Sequence, residues 1–294
     1  MKIFLFLFPC PLLSYLLICV LCVNLWTKLS PVFSTLREVH EIENEIQEAL
    51  DEIERKENVR VLFACESGSR AWGFPSDDSD WDVRFLYAHH PEWYLRVFPG
   101  RDVIEKPVTE LLDVSGWDLK KALELLRKSN PALREWLSCP LIYRENSDAL
   151  KPLRTLADNT FNPLASCHHY LSAARNHVLR DENASKVKLK NYLYCLRPLL
   201  SAQWVIERRM QPPMRFQEAV EALIPGGEIR EVIEALLVMK TASSETDRIP
   251  RIEVLDRFLR EQFSELETQL PLPGDPVAEE RFNEAFRETL SLLT

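Results

Sequence analysis

One segment constrains the fold of this chain more than any other: NVRVLFACESGSRAWGFPSDDSDWDVRFLYA, residues 58–88. It contains two apolar runs of strand length, Asn58–Cys65 and Trp81–Ala88, rich in the branched and aromatic residues that favour strands. The connection between them is rich in Gly, Ser and Asp, whereas the whole chain of 294 residues has only seven glycines. The segment therefore predicts two buried strands joined by a polar connection.

The polar connection combines features of an anion site and of a cation site. Gly68 and Ser69 follow the first strand, and they can open a helix whose free backbone N–H groups point toward an anion. Asp80 and Asp82 are two residues apart on the second strand, so their carboxylates lie on the same side. Two such carboxylates repel each other unless a cation lies between them, and Mg²⁺ prefers oxygen ligands together with substrate phosphates. The arrangement predicts a site for a metal-bound nucleoside triphosphate.

Two other interpretations fit parts of the same connection. The spacing from Gly68 to Gly73 matches the start of a Walker loop, but Phe74 and Pro75 stand where the lysine and the hydroxyl residue belong, so that motif is excluded. The run SDDSD also suits a solvated turn, because Ser and Asp hydrogen-bond their own backbone. The combination of this run with two strands and Gly-Ser favours the functional interpretation.

The rest of the chain divides into an α/β part and a helical part. Two further strands are predicted at 108–114 and 140–145, and Asp118 is placed to cap a helix that breaks near residues 130–131. Segments with helical apolar periodicity follow at 164–180, 186–209, 215–224, 228–240 and 251–269. We therefore expect an α+β protein with an α/β domain at 31–150 and an all-α helical domain at 151–294.

Residues 1–30 differ from the rest of the chain. No charged residue occurs from Ile3 to Trp26, a length sufficient to cross the apolar core of a bilayer. Lys28 and Arg37 follow the run and Lys2 precedes it, so the charge bias favours a membrane anchor with the catalytic part on the cytoplasmic side. The alternative is a start codon assigned too far upstream, so that this segment is not made.

The catalytic segment resembles the nucleotidyltransferase superfamily typified by DNA polymerase β, whose signature is an apolar strand, Gly-Ser or Gly-Gly, a spacer and Asp-x-Asp. More narrowly, three stretches resemble the predicted nucleotidyltransferases associated with RNA ligases and RNA repair: ESGSRAWGFPSDDSDWDVRFLY, DVSGWDLKKALELLRKSNPALREWL and KLKNYLYCLRPLLSAQW. The resemblance covers roughly residues 40–270. It implies a polymerase-β-like domain with a small mixed sheet, followed by helices.

The resemblance also implies a set of metal-binding carboxylates. It assigns two Mg²⁺ ions, with Mn²⁺ as the alternative ion, to Asp80, Asp82 and a third acidic residue that accepts the proton of the attacking hydroxyl. The candidates for the third residue are Glu110, Asp113 and Asp118. We favour Asp113, because a carboxylate within an apolar strand is costly without a cation. Glu110 can face solvent and Asp118 can cap a helix, and both remain alternatives.

Four residues of the catalytic segment are nucleotide-binding candidates. Gly68 and Ser69 form the predicted anion site. Arg70 follows them and can clamp a phosphate with its guanidinium, although an ion pair with Glu66 or with an aspartate of the connection is an equal alternative. Arg84 lies on the same strand face as Asp82, so it can also neutralise phosphate.

The helical part contains a basic segment despite the net charge of −9 for the whole chain. From Arg175 to Arg215 there are nine Lys/Arg residues against three Asp/Glu residues. Lys190, Tyr194 and Arg197 are spaced by four and three residues, so they share one helix face. In related polymerases a lysine of the helical domain contacts the triphosphate, and the resemblance makes these three residues nucleotide-binding candidates. A solvated basic face is the alternative, and the segment can also follow an RNA backbone.

The sequence thus leads to one hypothesis with two competitors. The hypothesis is a metal-dependent nucleotidyltransferase that moves a nucleotide from an NTP to a hydroxyl and releases pyrophosphate, with an RNA end as the acceptor. The first competitor is transfer to a protein side chain or a small molecule. The second is a nucleotide-binding or membrane-anchored interaction module without turnover.

Overall fold

The computed structural model describes residues 40–109, 111–178, 184–244 and 246–293. Residues 50–294 form one compact unit, and the described residues before it belong to helix α1, which covers 40–57. The apolar run that suggested a membrane anchor lies outside the described residues. Among the helices that are described, none combines the length and the apolar character needed to cross a bilayer.

After α1, the described part of the unit 50–294 contains seven strands, ten α-helices and one 3-10 helix. The strands are β1 (Val59–Glu66), β2 (Trp81–His89), β3 (Val103–Glu105), β4 (Leu112–Asp118), β5 (Ile142–Glu145), β6 (Lys186–Lys188) and β7 (Arg248–Pro250). The helices after α1 are α2 (Ser69–Trp72), α3 (Leu119–Arg127), α4 (Pro131–Ser138), α5 (Ser147–Asn159), α6 (Pro163–Val178), α7 (Leu189–Arg208), α8 (Phe216–Leu223), α9 (Glu228–Thr241), α10 (Glu253–Thr268) and α11 (Glu279–Ser291), with a 3-10 helix at Pro91–Leu95.

Five strands form a mixed sheet with the order β3-β4-β2-β1-β5. Strands β2 and β4 run parallel, and the other neighbouring pairs run antiparallel. The two strands predicted in the opening segment are therefore confirmed as the central pair β1 and β2. The predicted α+β class, a small mixed sheet followed by helices, is confirmed as well.

Two hydrophobic cores hold these elements together. The first packs the sheet against α3, α4, α5 and α11, and the second is formed mainly by helices α6 to α10. Trp72 packs against both cores. Helix α11 returns to α5, where the Thr289 hydroxyl donates a hydrogen bond of 3.1 Å to the carbonyl of Ala149. The domain boundary at residue 150 stays a prediction.

Two predicted elements begin later than expected, and two further elements were not predicted. The strand expected at 108–114 begins only at Leu112, because Thr109 closes a turn with that residue through hydrogen bonds of 3.1 Å in both directions. The short edge strand β3 and helix α5, which contains Pro152, were missed. The helix expected from residue 186 begins at Leu189, because residues 186–188 pair with β7 instead.

The N-cap of α3 gives a first test of the fold. The Asp118 carboxylate accepts hydrogen bonds of 2.8 Å from the Lys120 backbone N–H and from the Tyr94 hydroxyl. Asp118→Ala removes both, and we expect the free energy of unfolding to fall by ~1–2 kcal/mol. Asp118→Asn keeps an acceptor for the backbone N–H and should retain most of it. Equal denaturant midpoints for Asp118→Ala and the unchanged protein would contradict this.

Candidate active site

The register of two parallel strands brings two of the predicted aspartates together. Asp82 is the second residue of β2, Asp113 is the second residue of β4, and the two residues are direct partners in the ladder. Because side chains alternate along a strand, partners in register point to the same face. Asp80 lies two residues before Asp82, outside the strand, and is exposed. These positions gather three carboxylates at one end of the sheet.

The other candidates for the third carboxylate have different positions. Glu110 lies outside the described residues. Asp118 is five residues further along β4 than Asp113, roughly 17 Å at the rise of a strand. It is buried and caps α3. Of the two candidates that the structure describes, Asp113 is therefore the one beside Asp82.

Arg84 joins the two neighbouring carboxylates. Its Nη2 atom lies 3.0 Å from Oδ1 of Asp82 and 2.8 Å from Oδ2 of Asp113. Its Nη1 atom donates to the backbone carbonyls of Val83, at 3.2 Å, and Asp113, at 3.1 Å. The guanidinium thus holds β2 and β4 together at the point where their carboxylates meet.

A buried carboxylate that the sequence analysis did not select supports this end of the sheet. Glu66, the last residue of β1, is fully buried. Its side chain accepts hydrogen bonds from the backbone N–H groups of Asp82, at 3.0 Å, and Gly68, at 3.4 Å, and from the Tyr143 hydroxyl, at 2.5 Å. Burial raises the pKa of Tyr143, and Glu66 raises it further, so this hydroxyl stays protonated as a donor. The signal in the sequence was an acidic residue directly after an apolar strand.

Gly68 provides the clearance that Asp82 needs. A Cβ atom built on Gly68 would lie 1.9 Å from Oδ2 of Asp82, so the glycine allows this carboxylate to approach the backbone. The predicted helix after it is only one turn long, α2, and ends at Gly73 in the left-handed conformation with φ 89°. Ser69 is buried in this turn. The short length leaves little helix dipole, so anion binding here would depend on local N–H groups.

The connection that carries Asp80 is held from inside the protein, and is not a freely solvated turn. Ser76 and Ser79 are buried, and their hydroxyl groups lie 3.0 Å apart. Arg70 donates to the backbone carbonyls of Ser79, at 2.7 Å, and Asp80, at 3.3 Å. The structure therefore gives Arg70 a role in fixing this connection, and its predicted phosphate contact stays a prediction.

A buried lysine from the helical part also fixes the connection. Lys240 of α9 is 1 % exposed, and its Nζ atom donates to the Ser76 hydroxyl at 2.7 Å. Nothing in the local sequence around Lys240 marks this contact, which joins residues 164 positions apart. The position of Asp80 thus depends on both parts of the chain.

The surroundings of Asp82 favour its protonated form. Burial raises the pKa of Asp82, Arg84 lowers it, and the neighbouring Glu66, Asp113 and Asp80 raise it further. Such a group of oxygen ligands suits a hard divalent cation. The absence of a side chain at Gly68 leaves the space that the Asp82 carboxylate occupies. Within the described ranges, however, no set of three or more His, Cys, Asp or Glu side chains is already arranged to hold a metal ion. The carboxylate oxygens are therefore of the type that binds a divalent cation, and the Arg84 guanidinium lies between the carboxylates of Asp82 and Asp113.

The three nucleotide-binding candidates of the helical part lie on α7, as predicted. Arg197 forms an ion pair of 2.7 Å with Glu135, and both side chains are nearly buried. Its guanidinium also lies 4.2 Å from the ring centre of Trp72, which Tyr194 meets edge-on at 5.5 Å. These groups line a cavity of about 160 Å³. Lys190, in the first turn of α7, is half-buried, and nucleotide contacts by the three residues stay predictions.

The comparison with known proteins assigns the chain to a polymerase-β-like nucleotidyltransferase class. Residues 42–288 match the family described as RlaP, the RNA repair pathway DNA polymerase beta family, and the chain belongs to this family. It is 43% identical over 223 residues to YcgL of Bacillus subtilis (strain 168), covering 75% of this chain and 86% of that protein. A solved nucleotidyltransferase-like protein from Exiguobacterium sibiricum 255-15 is 16% identical with a TM-score of 0.31, covering 78% of this chain and 74% of that one.

Replacement of Gly68 tests the clearance around Asp82. In Gly68→Ala the new methyl group must displace the Asp82 carboxylate. We expect the affinity for Mn²⁺ to fall by about 10–100-fold, as it does when groups that orient a metal ligand are changed. Gly226→Ala is a matched control, because no atom lies within 4 Å of the added Cβ. Isothermal titration calorimetry on both variants measures the effect, and equal affinities would contradict it.

Replacement of Lys240 tests how the connection is held. Lys240→Met keeps most of the apolar stem but removes the hydrogen bond to Ser76. We expect the amide groups of residues 76–80 to exchange hydrogen faster, because their local opening costs less. Lys151→Met, at an exposed position of α5, is the control. Unchanged exchange at 76–80 in Lys240→Met would show that the lysine does not hold the connection.

Proposed function

We propose that this protein is a metal-dependent nucleotidyltransferase that moves a nucleotide from an NTP to a hydroxyl group of an RNA end. The observation that carries the proposal is the pairing of Asp82 and Asp113 in register beside the Gly68 turn. Membership of the RNA repair pathway family supports both the reaction class and the acceptor. The basic segment of the helical part, nine Lys/Arg against three Asp/Glu, is consistent with an RNA partner.

The reaction forms a phosphoester bond to the acceptor and breaks a phosphoanhydride bond of the NTP. The acceptor oxygen forms a bond to the α-phosphorus, the bond from that phosphorus to the bridging oxygen breaks, and pyrophosphate leaves. In this proposal Asp80, Asp82 and Asp113 would hold two Mg²⁺ or Mn²⁺ ions, which would neutralise phosphate charge. Asp113 accepts the proton of the acceptor hydroxyl.

The remaining residues bind and orient the substrate. Gly68 and Ser69 lie against the triphosphate, with Arg70 and Arg84 as further phosphate contacts. Lys190, Tyr194 and Arg197 contact the nucleotide from α7. Glu66 does not contact the substrate in this scheme, since it is fully buried and its hydrogen bonds fix the backbone of Gly68 and Asp82.

Substitutions that remove the negative charge of each of the three aspartates, with little change in side-chain size, test the proposal. The full chain is assayed with Mg²⁺ or Mn²⁺, each labelled NTP and RNA acceptors, and labelled product and pyrophosphate are measured together. We expect Asp80→Asn, Asp82→Asn and Asp113→Asn each to lower the rate on the order of a thousandfold, because several kcal/mol of transition-state stabilisation depends on the metal ligands.

Asp118→Asn is the matched control for this series. It makes the same substitution in the same strand as Asp113, but at the capping position, and should keep nearly full activity. If Asp118→Asn were inactive and Asp113→Asn active, the assignment of the third carboxylate would be reversed. Absence of product and pyrophosphate with every NTP and RNA acceptor would count against the enzyme itself.

A nucleotide-binding module without turnover is the second candidate. The ion pairs from Arg84 to both Asp82 and Asp113 favour it, because an arginine already neutralises the carboxylates there. It predicts NTP binding that survives Asp82→Asn and yields no pyrophosphate. Transfer to a protein or a small molecule would instead give pyrophosphate only with those acceptors.

A further inference from the structure

The contacts of Arg84 bear on how a cation enters the site. Its Nη2 atom contacts Oδ1 of Asp82 and Oδ2 of Asp113, while its Nη1 atom contacts two backbone carbonyls. The side chain is 20% exposed, so it reaches the surface of the site and is not locked in the core. Each of the two carboxylates thus gives one oxygen to the same guanidinium.

A divalent cation held between these carboxylates would take at least one oxygen of each and would therefore lie close to the Arg84 guanidinium, which already contacts Oδ1 of Asp82 and Oδ2 of Asp113. Arginine keeps its positive charge throughout the accessible pH range and has only donor groups, so it cannot itself ligate a metal. Two cations cannot share this space at contact distance, because their repulsion adds to the loss of the hydrogen bonds. Binding of the metal and the observed position of Arg84 therefore oppose each other.

We infer that Arg84 is an internal counter-ion that competes with the divalent cation for Asp82 and Asp113 and moves to the nucleotide phosphates when the cation binds. The inference rests on the proposed function, since it concerns the same metal and triphosphate. Arg84 lies two residues beyond Asp82 on one strand face, beside the phosphates that the cation would hold. The free protein then binds a cation weakly, and cation and triphosphate bind cooperatively.

The competing interpretation is that Arg84 only joins the strands β2 and β4. A purely structural role predicts that its removal lowers stability and lowers both affinities together. Competition predicts opposite signs: removal of Arg84 strengthens the binding of the cation alone and weakens the binding of the cation–triphosphate complex. The two interpretations are thus separated by the direction of two measured changes.

The experiment measures Mn²⁺ binding to the full chain by calorimetry and by electron paramagnetic resonance of free Mn²⁺. The second ligand is the complex of Mn²⁺ with inorganic tripolyphosphate, which avoids a choice of base. We expect Arg84→Gln to bind Mn²⁺ about tenfold more tightly and Mn²⁺–tripolyphosphate about tenfold more weakly than the unchanged protein, a typical size for coupling between two ligands. Arg84→Lys keeps the positive charge but not the planar guanidinium, so both of its affinities should lie between those of Arg84→Gln and those of the unchanged protein. Arg84→Lys replaces Arg84→Gln in the experiment if Arg84→Gln does not fold.

Arg144→Gln is the matched control. Arg144 also joins two carboxylates, Asp51 and Glu54, at 2.7 and 3.3 Å, and its side chain is 21% exposed. Its replacement should change neither affinity. Tighter Mn²⁺ binding in Arg144→Gln equal to that in Arg84→Gln would mean a general charge effect and would overturn the inference.

The failure of the inference is distinguishable from the failure of the proposed function. If Asp82→Asn abolishes Mn²⁺ binding but Arg84→Gln binds Mn²⁺ no more tightly than the unchanged protein, competition is wrong and the metal site stands. If Asp82→Asn binds Mn²⁺ as the unchanged protein does, the metal site is wrong and the inference falls with it.

Discussion

The candidate site depends on one constraint, the parallel pairing of β2 and β4 in register. Each strand supplies an aspartate at its second residue, and the register makes them neighbours. A shift by one residue would turn Asp113 to the opposite face, since side chains alternate with a period of two. The turn that Thr109 closes before β4 begins the strand at Leu112, one residue before Asp113. The chemistry of the site thus follows from where a short strand begins.

Two carboxylates that lie side by side in a half-buried site, here Asp82 and Asp113, need a positive charge nearby to offset their repulsion. Arg84 supplies it between Asp82 and Asp113, and the hydrogen bonds that Glu66 accepts fix the backbone on either side. Asp80 remains exposed on a connection that Arg70 holds through two backbone carbonyls and Lys240 holds through the Ser76 hydroxyl. The site therefore combines a rigid pair of carboxylates with a third that is positioned by a separate set of contacts.

Local patterns made the centre of this arrangement predictable. The Gly-Ser, Asp82 and the two apolar strands are all adjacent in the sequence, whereas the placement of Asp80 on the second strand was wrong, because β2 begins at Trp81. Asp113 was favoured because a carboxylate within an apolar segment needs a partner, although the strand itself begins four residues later than expected. The parts that were not predicted depend on long-range contacts: Glu66 with Tyr143, Lys240 with Ser76, and the residues that pair as β6 and β7. No periodicity within a short window encodes such contacts.

The central claim is that Asp82 and Asp113 bind the divalent cation of a nucleotide. It is tested most directly by a crystal structure of the protein with Mn²⁺ and a non-hydrolysable triphosphate analogue, in which anomalous scattering locates the manganese. We expect a manganese peak within ligand distance of both carboxylates, with the Arg84 guanidinium on the phosphates. A manganese peak at another place, or a bound analogue with Arg84 still between Asp82 and Asp113, would contradict this account.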